Sequence, residues 1–321
     1  MKRRFLITAV SVILTLTLLP TLANAYELFV TNRDSAEVSV VDPDASKVIK
    51  KIPVGKKSTY IAVSGDGRWA FSVSTAEKRL YVINTRTLEV VTTVELADAP
   101  KGVGVSRDNR FVYVVNEGKN ASNVYVIQIG SWKRIKEIKV GALPHNIVFS
   151  PDGSYAYVTN GQSGSISVID TGSLTITDEI KIPGSGIPHN LDMTADGRFL
   201  VVTLKKTDKL AIIDLKNIKV VKLLKVSQGH HAVAVSPDGR WVYVSGVGSD
   251  VITVIDSKNW TIRARIKVGK GPHGVKFSPD GSRAYVAVTK EDVIAVVNTK
   301  TKEVINRIVS KGFPFWISIK R

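Results

Sequence analysis

The sequence predicts an all-β fold: a seven-bladed β-propeller with four antiparallel strands per blade. Three observations predict it. A tetrapeptide turn recurs at a nearly constant period, four short alternating strands fill each period, and no stretch carries a helical repeat. The turn reads Ser-Pro-Asp-Gly from Ser150, Ser236 and Ser278, with variants from Ser64, Ser106 and Thr194. Successive copies lie 42, 44, 44, 42 and 42 residues apart. One further period past Ser278 reaches Lys320, in the closing segment FWISIK.

Each period holds the same elements in the same order. An alternating apolar strand precedes the turn, as in Asn146-Ile147-Val148-Phe149, and a second follows it, as in Tyr155–Asn160 or Trp241–Val244. A third ends on an acid or amide: Asp42, Asn84, Asp170, Asp214, Asp256 and Asn298. A fourth carries spaced basic residues, as in IKEIKV, DEIKI and IRARIKV. Short β-branched runs between turn residues are strands, and four per period make a propeller blade. First strands begin near Thr59, Lys101, His145, His189, His231, His273 and Phe315. Second strands begin near Glu27, Trp69, Phe111, Tyr155, Arg198, Trp241 and Ala284. The repeat therefore opens on a second strand and closes on a first, so Phe315–Lys320 should complete the sheet begun at Tyr26.

Composition agrees. The chain has 321 residues, 44% of them hydrophobic and 23% charged, which suits a large packed core. It has no cysteine, which excludes disulfides, thiolate metal sites, iron–sulfur clusters and thiol nucleophiles. Met1-Lys2-Arg3-Arg4, the apolar run Phe5–Leu22 and Ala23-Asn24-Ala25 form a signal peptide over residues 1–25, with an uncleaved anchor as the alternative. Residues 26–321 would then be the exported propeller, periplasmic, secreted or at the cell surface, with no later segment of membrane-spanning length.

Two abundant features have plain structural readings. One carboxylate per blade at a hairpin is turn chemistry, not a calcium loop: proline presets φ, aspartate bonds nearby backbone, and glycine takes positive φ. The formal charge of +17 is carried in large part by fourth strands, for example Lys51, Lys136, Arg263 and Arg307. Those are outer blade edges, where lysine prevents edge-to-edge pairing. Trp69, Trp241, Trp132 and Trp260 recur at equivalent strand starts, which indicates blade packing. The basic balance still favours an anionic ligand, and makes binding of nucleic acid or another polyanion a further alternative.

The histidines are the informative feature. Five residues before each turn stand Thr59, Lys101, His145, His189, His231 and His273, with Phe315 in the seventh position. Four of five histidines share one slot in consecutive blades, and His230 adjoins one of them. The first strand is innermost, so its start rings the channel mouth. Imidazoles in an arc suit copper(II), zinc(II) or haem-type iron. Lys101, Asn146, Asn190 and Asp192 are supporting candidates, Asp192 because its inner-strand position is otherwise small, apart from Val148 and Lys276. The structural alternative is that duplication copied the histidine from blade to blade. His145 also shares strand parity with Ile147 and Phe149, which would aim it between blades.

The segments Phe29-Val30-Thr31-Asn32 and Tyr157-Val158-Thr159-Asn160, with VID ends and SPDG turns, resemble the YVTN family of propeller repeats. The resemblance covers nearly all of residues 26–321. It implies exported relatives that include surface-layer proteins and the haem-binding propeller of dissimilatory nitrite reductase with its accessory proteins. Those haem domains commonly have an eighth blade, and seven leave a narrower channel.

Three functions compete. The first is metal or metal-tetrapyrrole binding at the histidine arc, with possible redox chemistry. The second is a scaffold presenting a protein-binding face, supported by the loops Glu117–Asn123 and Lys205–Lys209. The third is a lyase- or lactonase-like enzyme with a histidine base, for which Asp192 is the inner-strand carboxylate. No Ser-His-Asp spacing, phosphate loop or HExxH motif appears.

Overall fold

The computed structural model describes residues 26–118, 122–184 and 186–321, and for His230 and His231 the backbone alone. The expected signal peptide, residues 1–25, lies outside the described residues. The described chain forms 28 strands in seven four-stranded antiparallel sheets, a seven-bladed propeller. Among the described residues no helix is long and apolar enough to cross a membrane. Blade 1 is built from both ends: Pro314–Lys320 pairs with Glu27–Asn32, which pairs with Glu37–Asp42 and then Lys47–Pro53. Leu28 faces Ile319 and Phe29 faces Ser318 in that closure. Blades 2 to 7 follow in chain order, and their inner strands contact one another around the ring.

The middle strands lie between neighbouring blades, so both their faces are apolar and buried, as in Trp241–Gly246 and Val251–Asp256. The fourth strands are outer edges. Arg134–Lys139 exposes every residue except Ile138, in keeping with its basic sequence.

The YVTN segment has a physical role at each letter. The threonine hydroxyl ties one blade to the next: Thr159 Oγ1 accepts from Asn146 N at 3.1 Å and donates to the His189 carbonyl at 2.7 Å. Thr31 does the same between blades 1 and 2, accepting from Trp316 N and donating to the Thr59 carbonyl. The asparagine reaches the third strand, where Asn160 Nδ2 donates to Ser167 Oγ and Asn32 Nδ2 to Ser39 Oγ.

The turns follow the plain reading. Ser150 Oγ donates to Asp152 Oδ1 at 2.5 Å, and Tyr155 N donates to Ser150 Oγ at 3.0 Å. Third-strand ends close Asx turns: Asp42 Oδ1 accepts from Asp44 N and Ala45 N, and Asn298 Oδ1 from Lys300 N and Thr301 N.

The tryptophans do pack blades, but from two positions instead of one. Trp69 and Trp241 begin second strands, whereas Trp132 and Trp260 sit in left-handed turns ahead of fourth strands, with φ of 59° and 54°. Trp132 of blade 3 stacks edge-on against Trp69 of blade 2 at 5.0 Å, and Trp260 of blade 6 against Phe199 of blade 5 at 5.2 Å. The sequence made them look alike because both positions fall beside turns. At the joint between blades 4 and 5 the corresponding pair is Tyr155 and Ile218, and a cavity of about 320 Å³ opens there.

Candidate functional site at the channel mouth

Every inner strand is bulged at the histidine slot. In blade 4, Pro144 pairs with Asn160 and Ile147 with Val158, so three steps on the inner strand oppose two on its partner. The same shift occurs at Ser58/Ile61, Pro100/Val103, Pro188/Leu191, His230/Val233 and Pro272/Val275, and blade 1 skips Phe315. A bulge re-aims the side chains it contains. His145 therefore does not follow the parity of Ile147 and Phe149. It turns to the channel mouth, where it meets residues from three other blades.

Tyr60 of blade 2 crosses to that ring. Its hydroxyl lies 2.8 Å from His145 Nε2 in blade 4 and 3.0 Å from Asn190 Oδ1 in blade 5. Its ring leans on Trp316 of blade 1, with centroids 4.4 Å apart, and is 2% exposed. Asn146 Nδ2 donates to Asn190 Oδ1 at 2.7 Å, closing the far side. Tyr60, Asn146, Asn190 and Trp316 all occupy the residue after the histidine slot, and together they plug the channel beneath the mouth. Gly102 occupies the same position in blade 3, where a Cβ would stand 2.7 Å from Asn146 Cα and 2.8 Å from the His145 carbonyl. Glycine is what lets blades 3 and 4 approach this closely.

The floor above this plug is made of flat rings. His145 stacks on His189, with centroids 3.6 Å apart and planes 24° apart. His273 lies over Phe315 at 3.7 Å. His145, His189 and His273 are all buried. The structure thus brings together three of the four slot histidines' blades at one level, while the side chains of His230 and His231 lie outside the described residues. A metal ion lies in the plane of each imidazole that binds it, and two nearly parallel rings 3.6 Å apart cannot both meet that condition for one ion.

A residue from a loop completes the site. Glu117 follows the second strand of blade 3, one blade from Tyr60 and one from His145, and its Oε1 lies 2.8 Å from His145 Nδ1. Lys101 Nζ stands 3.7 Å from the other carboxylate oxygen. Burial alone would raise the Glu117 carboxyl. The His145 hydrogen bond and the charges of His145, Lys101 and Lys205 together hold it below the usual range. Burial pushes His145 down, against the pull of Glu117, and takes His273 down to about 3. Tyr60 is raised by burial, so it stays a phenol.

These states fix the protons. An ionised Glu117 only accepts, so His145 carries its hydrogen on Nδ1 and offers Nε2 to the Tyr60 hydroxyl. Tyr60 has one hydrogen and two acceptors in reach, His145 Nε2 and Asn190 Oδ1. A second proton on His145 would turn that hydroxyl towards Asn190. Glu117, His145 and Tyr60 thus form a hydrogen-bonded chain from the rim to the buried phenol, which holds the imidazole in one tautomer and one orientation.

The rim is cationic. Arg33 and Glu117 directly follow second strands and Lys205 ends one, and Arg33 lies over the rings of Phe313 and Phe315 at 5.6 and 5.8 Å. Sequence reasoning placed Lys101, Asn146 and Asn190 near the histidines, and they are there. It missed Tyr60, hidden as an ordinary strand aromatic, and the roles of Glu117 and Arg33. The signal was available: charged residues after TN or VN break the pattern of the other copies.

Asp192 is elsewhere, which corrects its expected place beside the histidines. It lies three residues beyond His189 along the inner strand, about 10 Å at strand rise, below the plug. Its carboxylate accepts from Met193 N at 2.9 Å and from Val235 N at 2.8 Å. Burial raises it, against the pull of Lys276, those amides and Arg107. Lys276 does oppose it, as the sequence suggested. A histidine base at the mouth could not use this carboxylate.

Two family models match. The YNCE-like β-propeller covers residues 103–241 and the Cytochrome D1 heme domain covers residues 194–314. Each covers less than half the chain, and together they support the relation to the nitrite reductase haem propeller that the repeats implied. No curated protein matches. Among solved structures, Kuenenia stuttgartiensis hydrazine synthase is 22% identical, with TM-score 0.74 over 81% of this chain and 89% of that one. A functionally unknown protein from Desulfotomaculum acetoxidans is 16% identical, with TM-score 0.79 over 92% and 98%. Dihydro-heme d1 dehydrogenase NirN, in complex with DHE, is 18% identical, with TM-score 0.69 over 89% and 64%. At these identities the likeness establishes the fold.

Proposed function

We propose that this protein binds a carboxylate-bearing, haem-type tetrapyrrole, which lies over the plug at the channel mouth. The observation that carries the reading is the floor of stacked rings, His145 on His189 and His273 on Phe315, rimmed by Lys101, Lys205 and Arg33. A flat aromatic macrocycle laid over the mouth would meet these rings at their edges, since their faces cover one another, and its carboxylates would pair with the rim cations. The Cytochrome D1 heme-domain match supports the same chemistry. The parallel rings disfavour a bare copper or zinc ion shared by His145 and His189, and the Tyr60 plug keeps a macrocycle out of the channel itself.

The residues present fit the faces and carboxylates of such a group. When bound it would supply redox or electrophilic chemistry at its centre. The chain's own part is to seat it, to exclude water from its inner face with Tyr60 and Trp316, and to fix the His145 tautomer through Glu117. Residues 1–25, read as a signal peptide, would put the protein outside the cytoplasm in this reading.

The test is the absorption spectrum and metal content of the protein isolated from its native host. A haem-type band with about one equivalent of iron is expected. A colourless protein, or one carrying copper or zinc without a chromophore, contradicts the proposal.

A further inference from the structure

The repeat makes a second site visible at the opposite end of the channel. Below the plug, the inner strands present a ring of small or apolar residues: Ala62, Gly104, Val148, Ala234 and Ser318, with Asp192 and Lys276 as the charged exceptions. One step lower, the residue after each turn serine or threonine is Gly65, Pro151, Ala195, Pro237 or Pro279, with Arg107 as the exception. None of these three charges is needed for the fold, because other blades do without one at the same place.

Both cationic exceptions face one space. A cavity of about 230 Å³ is lined by Arg107 of blade 3, Lys276 of blade 7, Ser64 and Gly65 of blade 2, and Ser318 and Arg321 of blade 1. Lys276 is exposed there, and among the described residues it makes no ion pair within 4 Å. Among the described residues the Arg107 side chain makes one hydrogen bond, from Nε to the Ser150 carbonyl at 3.4 Å, so its terminal nitrogens keep their donors. Ser318 Oγ accepts from Val63 N at 3.0 Å, which leaves its own hydrogen to give. Asp192, the one inner-strand carboxylate, lines a neighbouring cavity with Arg107 and spends its two oxygens on backbone amides. Cations therefore outnumber it at this end.

We infer that this lower opening is a binding site for a small oxyanion of the phosphate class, held between Arg107 and Lys276 with the Ser318 hydroxyl as a third donor. Two converging cations and a hydroxyl match the several acceptor oxygens of such an ion. The Tyr60 plug separates the site from the mouth, so it stands apart from the tetrapyrrole reading.

The test is calorimetric titration of the full chain with inorganic phosphate, on wild type, Lys276→Ala, Arg107→Ala and the edge control Lys136→Ala. The first two substitutions install what other blades already carry, Ala234 and Ala195, so folding should be retained, and a thermal melt confirms it. One saturable site is expected, weakened about tenfold or more in each channel variant and unchanged in Lys136→Ala. No saturable binding to the wild type overturns the inference. So does an equal loss in Lys136→Ala, which would mean diffuse attraction to a basic surface.

Discussion

The Tyr60 hydroxyl of blade 2 and the His145 imidazole of blade 4 meet at 2.8 Å across the channel, at the centre of the plug that Tyr60 forms with Asn146, Asn190 and Trp316. The contact is buried, and it joins the rim carboxylate Glu117 to the interior through a single ring. Removing the hydroxyl with Tyr60→Phe keeps the ring against Trp316 but deprives His145 Nε2 of its partner. A loss of about 1–3 kcal/mol in urea unfolding is expected. A change within error would show that the contact contributes nothing to stability.

Acid should weaken the fold through its histidines. Burial depresses His145 and His273 in the native state, the latter to about 3, whereas an unfolded histidine titrates near 6.5. Between those values the unfolded chain binds the extra proton, so stability falls as pH drops. For His273 the expected slope is about 1.4 kcal/mol per pH unit below pH 6.5. Unfolding midpoints measured at pH 7 and pH 5 check this, and His273→Asn should flatten the difference. The same midpoint at both values would refute it.

The joints between blades are unequal, and this is testable in both directions. Trp260 is 9% exposed and stacked on Phe199, so Trp260→Ala should cost about 3–5 kcal/mol. The joint between blades 4 and 5 lacks such a ring and leaves Ile218 51% exposed beside a cavity. Ile218 has φ of 50°, close to the 54° of Trp260, so the backbone there already suits the larger residue. Ile218→Trp should stabilise by about 0.5–2 kcal/mol. A destabilised variant would show that this joint is filled in another way.

Gly102 makes a sharper demand. A methyl group there meets backbone of blade 4, which cannot swing aside as a side chain can. Gly102→Ala should cost about 1–3 kcal/mol in thermal or urea unfolding. Gly130, where nothing lies within 4 Å of an added Cβ, has φ of 94° and would suffer from backbone strain instead of collision.

The sequence and the structure agree most where the pattern is periodic. Blade count, strand order, ring closure at Phe315–Lys320 and the SPDG turns all follow from repetition, because each copy confirms the others. The histidine slot was legible for the same reason. What repetition could not show is the bulge: it leaves no mark in the letters, yet it turns His145 from the blade interface to the mouth. Tyr60 was hidden because its partners, His145 and Asn190, lie 85 and 130 residues away. Asp192 was misplaced because an odd residue in the inner ring drew attention without its depth along the strand being counted. Three steps of strand separate it from His189, which is enough to put it on the other side of the plug.

The most direct test of the account is a titration of the metal-free, colourless protein with ferric haem and with metal-free protoporphyrin. Wild type should be compared with Lys101→Ala/Lys205→Ala. One equivalent of each macrocycle is expected to bind and to quench the emission of the nearby Trp316, and both affinities should fall together in the double variant. Binding of neither macrocycle, or equal binding by the variant, would contradict a mouth built to hold a carboxylate-bearing ring.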